Sequence, residues 1–190
     1  MKLVFASNNK NKITEIKHQL PLDIELLSLE DIGCHEDIPE TADTIEGNAI
    51  LKANYVTQHY GYNCCADDTG LEVDALNGAP GVYSARYAGE AKDANANMDK
   101  LLTELEGNTN RDANFKTVIA LNLDGAQHLF TGIVNGSITS QRAGDKGFGY
   151  DPIFKPEGLE VTFAQISLDE KALLSHRGRA VKQLIDFLKK

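Results

Sequence analysis

Asp67 and Asp68 stand side by side at the end of a short apolar run and are followed by Thr69 and Gly70. Adjacent carboxylates repel, and neither is cheap to bury without a partner. A cation resolves that conflict, so the pair points to a hard divalent metal with an anionic substrate beyond it. A polar turn between two strands is the plainer alternative, because Asp, Thr and Gly are ordinary turn residues. The placement of positive charge weighs between the two. The chain carries a formal net charge of -9, yet its cations gather in three clusters: Lys10 with Lys12, Lys171, and His176 with Arg177 and Arg179. Two of these clusters fall at expected helix starts, where the helix dipole disfavours Lys and Arg. Repeating that unfavourable choice suggests a bound anion. Taken with Glu40, Asp67 and Asp68, the cations make up the donor set of a metal–polyphosphate site. The glycine-rich stretch 144–152 brings Phe148 and Tyr150, which suit a flat base.

These residues need elements to position them. Residues 2–6 read as a buried strand, and Ile13, Ile16 and Leu20 recur at helical spacing after the polar loop 7–12. Backbone N–H groups at such a helix start lack internal partners and attract anions. Ser7, Asn8, Asn9 and Asn11 add donors, and Lys10 and Lys12 add charge. The spaced glycines of a Walker loop are absent, and a well-capped surface helix is the plainer reading of this loop taken alone. A second strand is expected over 24–29, then an acidic connection over 30–43. A helix over about 44–60 follows, with Ile45, Ala49, Ala53, Val56 and Tyr60 on one stripe and Gly61 as its stop. Lys52 borders that stripe and is expected to snorkel to water.

Beyond the Asp pair, Met98, Leu101, Leu102 and Leu105 carry a third helix that ends at Gly107. Strands over 115–123 and 129–134 flank Asp124-Gly125, a strong tight-turn signal. This hairpin reads as scaffold without chemistry. Ser167 and Glu170 form a capping box that opens a short helix carrying Lys171. A closing helix from about 175 buries Val181, Leu184, Ile185 and Leu188.

With 190 residues, the chain suits one large domain or two modest lobes with a real core. Hydrophobic residues make up 42% and charged residues 25%, ordinary values for a soluble globular protein. No segment approaches a membrane span, and the apolar start is too brief for a signal-peptide core. Cys34, Cys64 and Cys65, odd in number and without zinc-type spacing, suit reduced thiols in a cytoplasmic protein. An acidic balance argues against a generic binder of nucleic acid polymers or membranes.

The motifs carry a resemblance. SNNKNK at 7–12, the ENA-ILKA element as Glu46-Gly47-Asn48-Ala49-Ile50-Leu51-Lys52-Ala53, and DDTGLEVDALNGAPGVYSARY at 67–87 are followed by GFGYDPIF at 147–154 and SHRGRA at 175–180. In this order, over nearly the whole chain, they resemble the inosine triphosphate pyrophosphatase family. Local departures are Gly47 between Glu46 and Asn48, and Thr69 where many relatives have Ser. The resemblance implies an α/β fold: an elongated mixed β-sheet flanked by helices, one domain over 1–190 made of two lobes with a central cleft. It also implies a cytoplasmic homodimer. The implied activity is Mg²⁺-dependent hydrolysis of ITP, dITP and XTP to the monophosphate and pyrophosphate, which cleanses the nucleotide pool.

By that resemblance Ser7, Asn8, Asn9, Lys10, Asn11 and Lys12 bind the triphosphate, with Lys52 and Thr69 also contacting substrate. Glu40 and Asp68 hold Mg²⁺, and Asp68 is the catalytic proton acceptor. Phe148, Gly149, Tyr150 and Asp151 line base and sugar, and Lys171, His176 and Arg177 complete the nucleotide pocket. A metal-bound Asp68 is a weakened base, so Asp67 and Glu40 stay open as proton acceptors. The donors of Arg177 suit a 6-oxo purine over adenine. Two rival classes are a catalytically silent nucleotide-binding module and a Maf-type hydrolase of ordinary or modified nucleotides. Paired carboxylates argue against the first, and Ser-His-Arg-Gly favours purines over the second.

Overall fold

The apolar residues at the start of the chain become β1 (Lys2–Phe5), with Leu3, Val4 and Phe5 buried. A computed structural model describes residues 1–189. β1 pairs in parallel with β2 (Glu25–Leu27) on one side and with β3 (Cys64–Val73) on the other. Parallel neighbours need crossovers, and α1 (Lys10–Gln19) and α2 (Ile45–Tyr60) supply them. β4 (Pro80–Gly81) pairs antiparallel with β3. After α3 (Ala94–Glu104) come β5 (Asp112–Leu123), β6 (Ala126–Ile138) and β7 (Phe154–Pro156), then α4 (Leu168–Leu174) and α5 (His176–Leu188). The sheet runs in the order β2-β1-β3-β5-β6-β7, so the fold is α/β with a mixed sheet, as expected. No helix among the described residues is long and apolar enough to cross a membrane.

The chain divides into two compact units. The first contains residues 1–68, 117–132 and the chain from Arg177 onward. Its core joins Leu3, Phe5, Ile16, Cys65, Ile119, Leu121, Phe130, Val181 and Leu184. The second contains residues 69–116 and 133–176, around Leu71, Val73, Met98, Leu101, Leu105, Phe115, Val134, Phe154 and Phe163. All three cysteines are buried free thiols.

Several local expectations hold. Thr44 caps α2 by accepting the Gly47 N–H at 3.0 Å, and Gly61, with φ 72°, stops the helix. Gly47 is explained by crowding: a Cβ there would lie 2.6 Å from the Ala42 Cβ. Asp124 and Gly125, at φ 48° and 83°, make the tight turn between β5 and β6. The capping box at Ser167 and Glu170 opens α4.

Others are corrected. Asp67-Asp68-Thr69-Gly70 is neither a turn nor a strand end, because β3 runs unbroken from Cys64 to Val73. Pairing with β1 at Cys64 and Cys65 before the segment and with β4 at Leu71 and Glu72 after it keeps the strand extended against the turn preference of Asp, Thr and Gly. Lys52 does not snorkel: it is buried, because the half-buried Glu40 and the buried Asp68 both offer it a carboxylate. Of the four residues expected to be buried on the closing helix, Val181 and Leu184 are, while Ile185 and Leu188 are only half-buried, since the last turns of α5 are covered on one side.

Candidate active site

In the first unit the site begins with the loop into α1. Asn9 is the N-cap, its Oδ1 accepting the backbone N–H groups of Asn11 at 3.0 Å and Lys12 at 3.3 Å. The Ser7 hydroxyl accepts the Asn9 N–H at 3.2 Å. The polar loop thus shapes itself, as Asx and Ser residues do at helix starts. Asn8, Asn9, Lys10 and Asn11 are exposed around it.

Lys12 turns inward. Its Nζ donates to Asp67 Oδ1 at 3.0 Å, and the other oxygen of Asp67 accepts from Arg177 Nε at 3.0 Å. Arg177 Nη1 donates to Glu15 Oε2 at 2.5 Å. Glu15, Arg177, Asp67 and Lys12 form a chain of alternating charge that joins α1, β3 and α5. Burial opposes the charge on Asp67, but Lys12, then Arg177 and Lys52, hold its carboxyl well below the usual range. For Lys12 burial prevails and lowers the ammonium, although Asp67 pulls it upward. Burial also opposes the charge on Arg177, and there Asp67 and Glu15 prevail and raise it.

A second group adjoins Asp68 on the same strand. Lys52 Nζ lies 2.5 Å from Glu40 Oε1 and 3.7 Å from Asp68 Oδ1. Asn48 Nδ2 donates to Asp68 Oδ2 at 3.3 Å. Asp68 differs from its neighbour in kind. Burial pushes its carboxyl above the ordinary value despite Lys52 and Lys12, and Glu40 and Asp67 add to the rise. Lys52 is raised, because Asp68, Glu40 and Asp67 together outweigh burial.

The donor set at Glu40 and Asp68 fits Mg²⁺. Both are hard carboxylate ligands, and one ammonium already sits against the two of them in the manner of a cation. Among the described residues no group of three or more His, Cys, Asp or Glu is arranged to hold a metal. Mg²⁺ can be held by one or two carboxylates, with phosphate oxygens and water completing its shell.

The second unit holds a different set. Asp151 Oδ2 accepts the Phe148 N–H at 2.8 Å and Lys171 Nζ at 2.6 Å. The Lys171 ammonium lies 4.9 Å from the centre of the Phe148 ring and 5.9 Å from that of Phe163. His176 is buried and stacks on Phe115 with centroids 4.5 Å apart and planes at 16°. Gly147 has φ 70°, and a Cβ there would lie 2.0 Å from Asp151 Oδ2, so only glycine lets the loop close on the carboxylate. The Tyr150 hydroxyl donates to the Ser84 carbonyl at 2.8 Å and the ring is buried in the core of this unit. Thr69, Phe148 and Gly149 are half-buried.

The residues read from the sequence therefore divide by unit. Ser7 to Lys12, Glu40, Lys52, Asp67, Asp68 and Arg177 belong to the first, and Thr69, Phe148 to Asp151, Lys171 and His176 to the second. The cations at helix starts have protein carboxylates beside them, which accounts for part of their unfavourable placement. Arg177, expected to read a 6-oxo group, is 1% exposed with two nitrogens on Asp67 and Glu15. The hairpin taken as pure scaffold supplies Phe115 to His176. Glu15 and Asn48 were missed. Each was signalled weakly: Glu15 adjoins Ile16 of the buried stripe on α1, and Asn48 stands four residues before Lys52 on α2.

The sequence model described as Ham1 family matches residues 3–187. The chain is 71% identical over 189 residues to the dITP/XTP pyrophosphatase of Flavobacterium psychrophilum, with 100% of both chains covered. It is 60% identical over 190 residues to that of Christiangramia forsetii, again with 100% of each covered. Among solved structures, the Staphylococcus aureus Ham1 protein matches with a TM-score of 0.91 at 43% identity, covering 100% of this chain and 98% of its own. A HAM1 protein from Coxiella burnetii matches with a TM-score of 0.92 at 37% identity, with the same coverage.

Proposed function

Because the chain belongs to the Ham1 family and is a nucleoside triphosphate pyrophosphatase, we propose that it acts on the non-standard purine nucleotides dITP, XTP and ITP. It releases the monophosphate and pyrophosphate. The observation that carries this reading is the pair of unlike carboxylates on β3. Asp67 is saturated by Lys12 and Arg177, while Asp68 is pushed up by burial beside Lys52 and Glu40.

The division of labour follows from that contrast. Both oxygens of Asp67 are occupied by cations and its carboxyl is held far down, so it is a poor proton acceptor. Asp68, with a raised carboxyl, is the better base for a water directed at the α-phosphorus. As the water's oxygen bonds to that phosphorus, the bond to the bridging oxygen breaks, pyrophosphate leaves with the electron pair, and Asp68 takes the proton. Glu40 and Asp68 would hold Mg²⁺, which when bound supplies charge relief on the departing pyrophosphate and orients phosphate oxygens. Lys12, Lys52 and the exposed donors of the α1 loop neutralise the triphosphate.

In the second unit, Phe148 offers a ring to a flat base, and the Asp151–Lys171 pair stiffens the loop that carries it. Arg177 is placed with the groups that hold Asp67. A cytoplasmic homodimer belongs to the same proposal.

Incubation with Mg²⁺ and, separately, ITP, XTP, dITP, GTP, ATP and dUTP tests the proposal. Monophosphate and pyrophosphate from the first three, with little turnover of the others, is the expected result. Release of orthophosphate would sink the proposed bond cleavage, and equal turnover of ATP would sink the substrate class.

A further inference from the structure

The buried amide of Asn48 has no part in the reaction described so far. It is 1% exposed and lies near the start of α2. Its Oδ1 accepts the Ala42 N–H at 2.9 Å, and its Nδ2 donates to Asp68 Oδ2 at 3.3 Å. The partners fix which end is which, because a backbone N–H only donates and an ionised carboxylate only accepts. Ala42 stands two residues after Glu40, so this one side chain ties the Glu40 segment to Asp68.

Lys52, one turn further along α2, shares Asp68 with Asn48 and reaches Glu40 itself: Glu40 Oε1 lies at 2.5 Å and Asp68 Oδ1 at 3.7 Å. Asp68 is therefore held at Oδ2 by a neutral donor and approached at Oδ1 by a cation. The two grips respond differently to a ligand. An ammonium is drawn to phosphate oxygens as strongly as to carboxylates, so Lys52 can change partners when a triphosphate arrives. A neutral amide gains little by such an exchange, and the Ala42 bond anchors it in place. The grip of Asn48 also adds no second cation beside the metal ligands.

Resting on the reading of Glu40 and Asp68 as the metal-and-water end of the site, we propose that Asn48 is a positioning residue. It sets the rotation of the Asp68 carboxylate and the spacing between Asp68 and Glu40. Hydrogen-bond partners of metal ligands commonly matter about 10- to 100-fold in metal affinity or activity.

Two variants separate positioning from mere structural support. Asn48→Ala removes both bonds. Asn48→Asp keeps an acceptor for Ala42 but has no donor for Asp68. Turnover of XTP, thermal unfolding, and binding of Mn²⁺ alone, followed by the paramagnetic resonance signal of the free ion, are measured for each. In Asn48→Ala, kcat per folded molecule should fall about 10- to 100-fold with KM for XTP nearly unchanged, and Mn²⁺ affinity should fall about tenfold. Asn48→Asp should recover none of the lost kcat. A lowered Tm with kcat and Mn²⁺ binding at wild-type level in Asn48→Ala would overturn the proposal, as would recovery of kcat in Asn48→Asp. If Asn48→Asp does not fold, Asn48→Ala decides alone. Absence of XTP turnover in the wild-type protein would refute the proposed function instead, and the Mn²⁺ comparison would still judge Asn48.

Discussion

The first unit holds its buried ionised groups with other ionised groups, whereas the second sets the buried Asp151–Lys171 pair beside aromatic rings. Around Asp67 and Asp68, four carboxylates (Glu15, Glu40, Asp67 and Asp68) meet three cations (Lys12, Lys52 and Arg177). Around Asp151, Lys171 supplies a positive charge, Phe148 and Phe163 lie against its ammonium, and Phe115 and His176 stack in the same unit. The first arrangement is one negative charge in surplus and can exchange partners, which suits a cation arriving with a polyanion. The second sets an ion pair among rings, which suits a flat group. Burying charge is costly in both. One unit offsets that cost with a network and the other with a pair that braces its own loop.

If the comparison is right, the two units should fail in different ways. The largest effect is expected at Asp68. Asp68→Asn should lower turnover about 10³-fold, as loss of a positioned base does, while thermal unfolding stays near that of the wild type. Near-normal turnover would remove Asp68 from the chemistry and leave the charged network with a structural role only.

Asp67→Asn should act on stability. It leaves the buried Arg177 and the half-buried Lys12 without their shared counter-ion and should cost about 3–5 kcal/mol in urea unfolding. The deficit should depend on pH with a definite sign. The folded-state carboxyl of Asp67 is depressed, so its contribution is fully present above the ordinary carboxylate range and fades as pH falls from about 5 toward the depressed value. The gap between wild type and variant should therefore be wide at neutral pH and narrow in acid. A gap that does not change with pH would mean that Asp67 is held by something other than its charge.

The smallest effect is expected in the second unit. Gly147→Ala puts a Cβ against Asp151 at a left-handed φ and should cost about 1–3 kcal/mol. Displacing Phe148 should raise KM more than it lowers kcat, because base binding is disturbed and the reacting end is not. A loss confined to kcat would break the proposed contrast between the units.

The candidate residues of the two units also differed in how plainly they could be read. Cations clustered in an acidic chain, two of the three clusters at helix starts, pointed to Lys12, Lys171 and Arg177, and the structure gives each a carboxylate. Which carboxylate serves which cation could not be read, since Glu15 and Arg177 lie 162 residues apart and meet only when α1 and α5 pack. The Gly-flanked aromatics were legible as a loop near something flat. That Tyr150 turns into the core while Phe148 stays half-exposed depends on Ser84, which has no local signature near residue 150. Lys52 misled for the same reason: a lysine beside an apolar stripe goes to water unless a carboxylate from elsewhere waits inside.

Sequence by itself determined the kinds of groups, their order, the α/β alternation at the start of the chain and, through its motifs, the family. Helical period, capping boxes and tight-turn residues are local, and local physics needs no knowledge of distant neighbours. Tertiary structure alone decided that Asp67 and Asp68, chemically identical and adjacent, have different surroundings. Successive residues of a strand point to opposite faces. On β3, one carboxylate meets Lys12 and Arg177 and is held fully ionised, and the other meets Asn48 and Lys52 and is raised by burial.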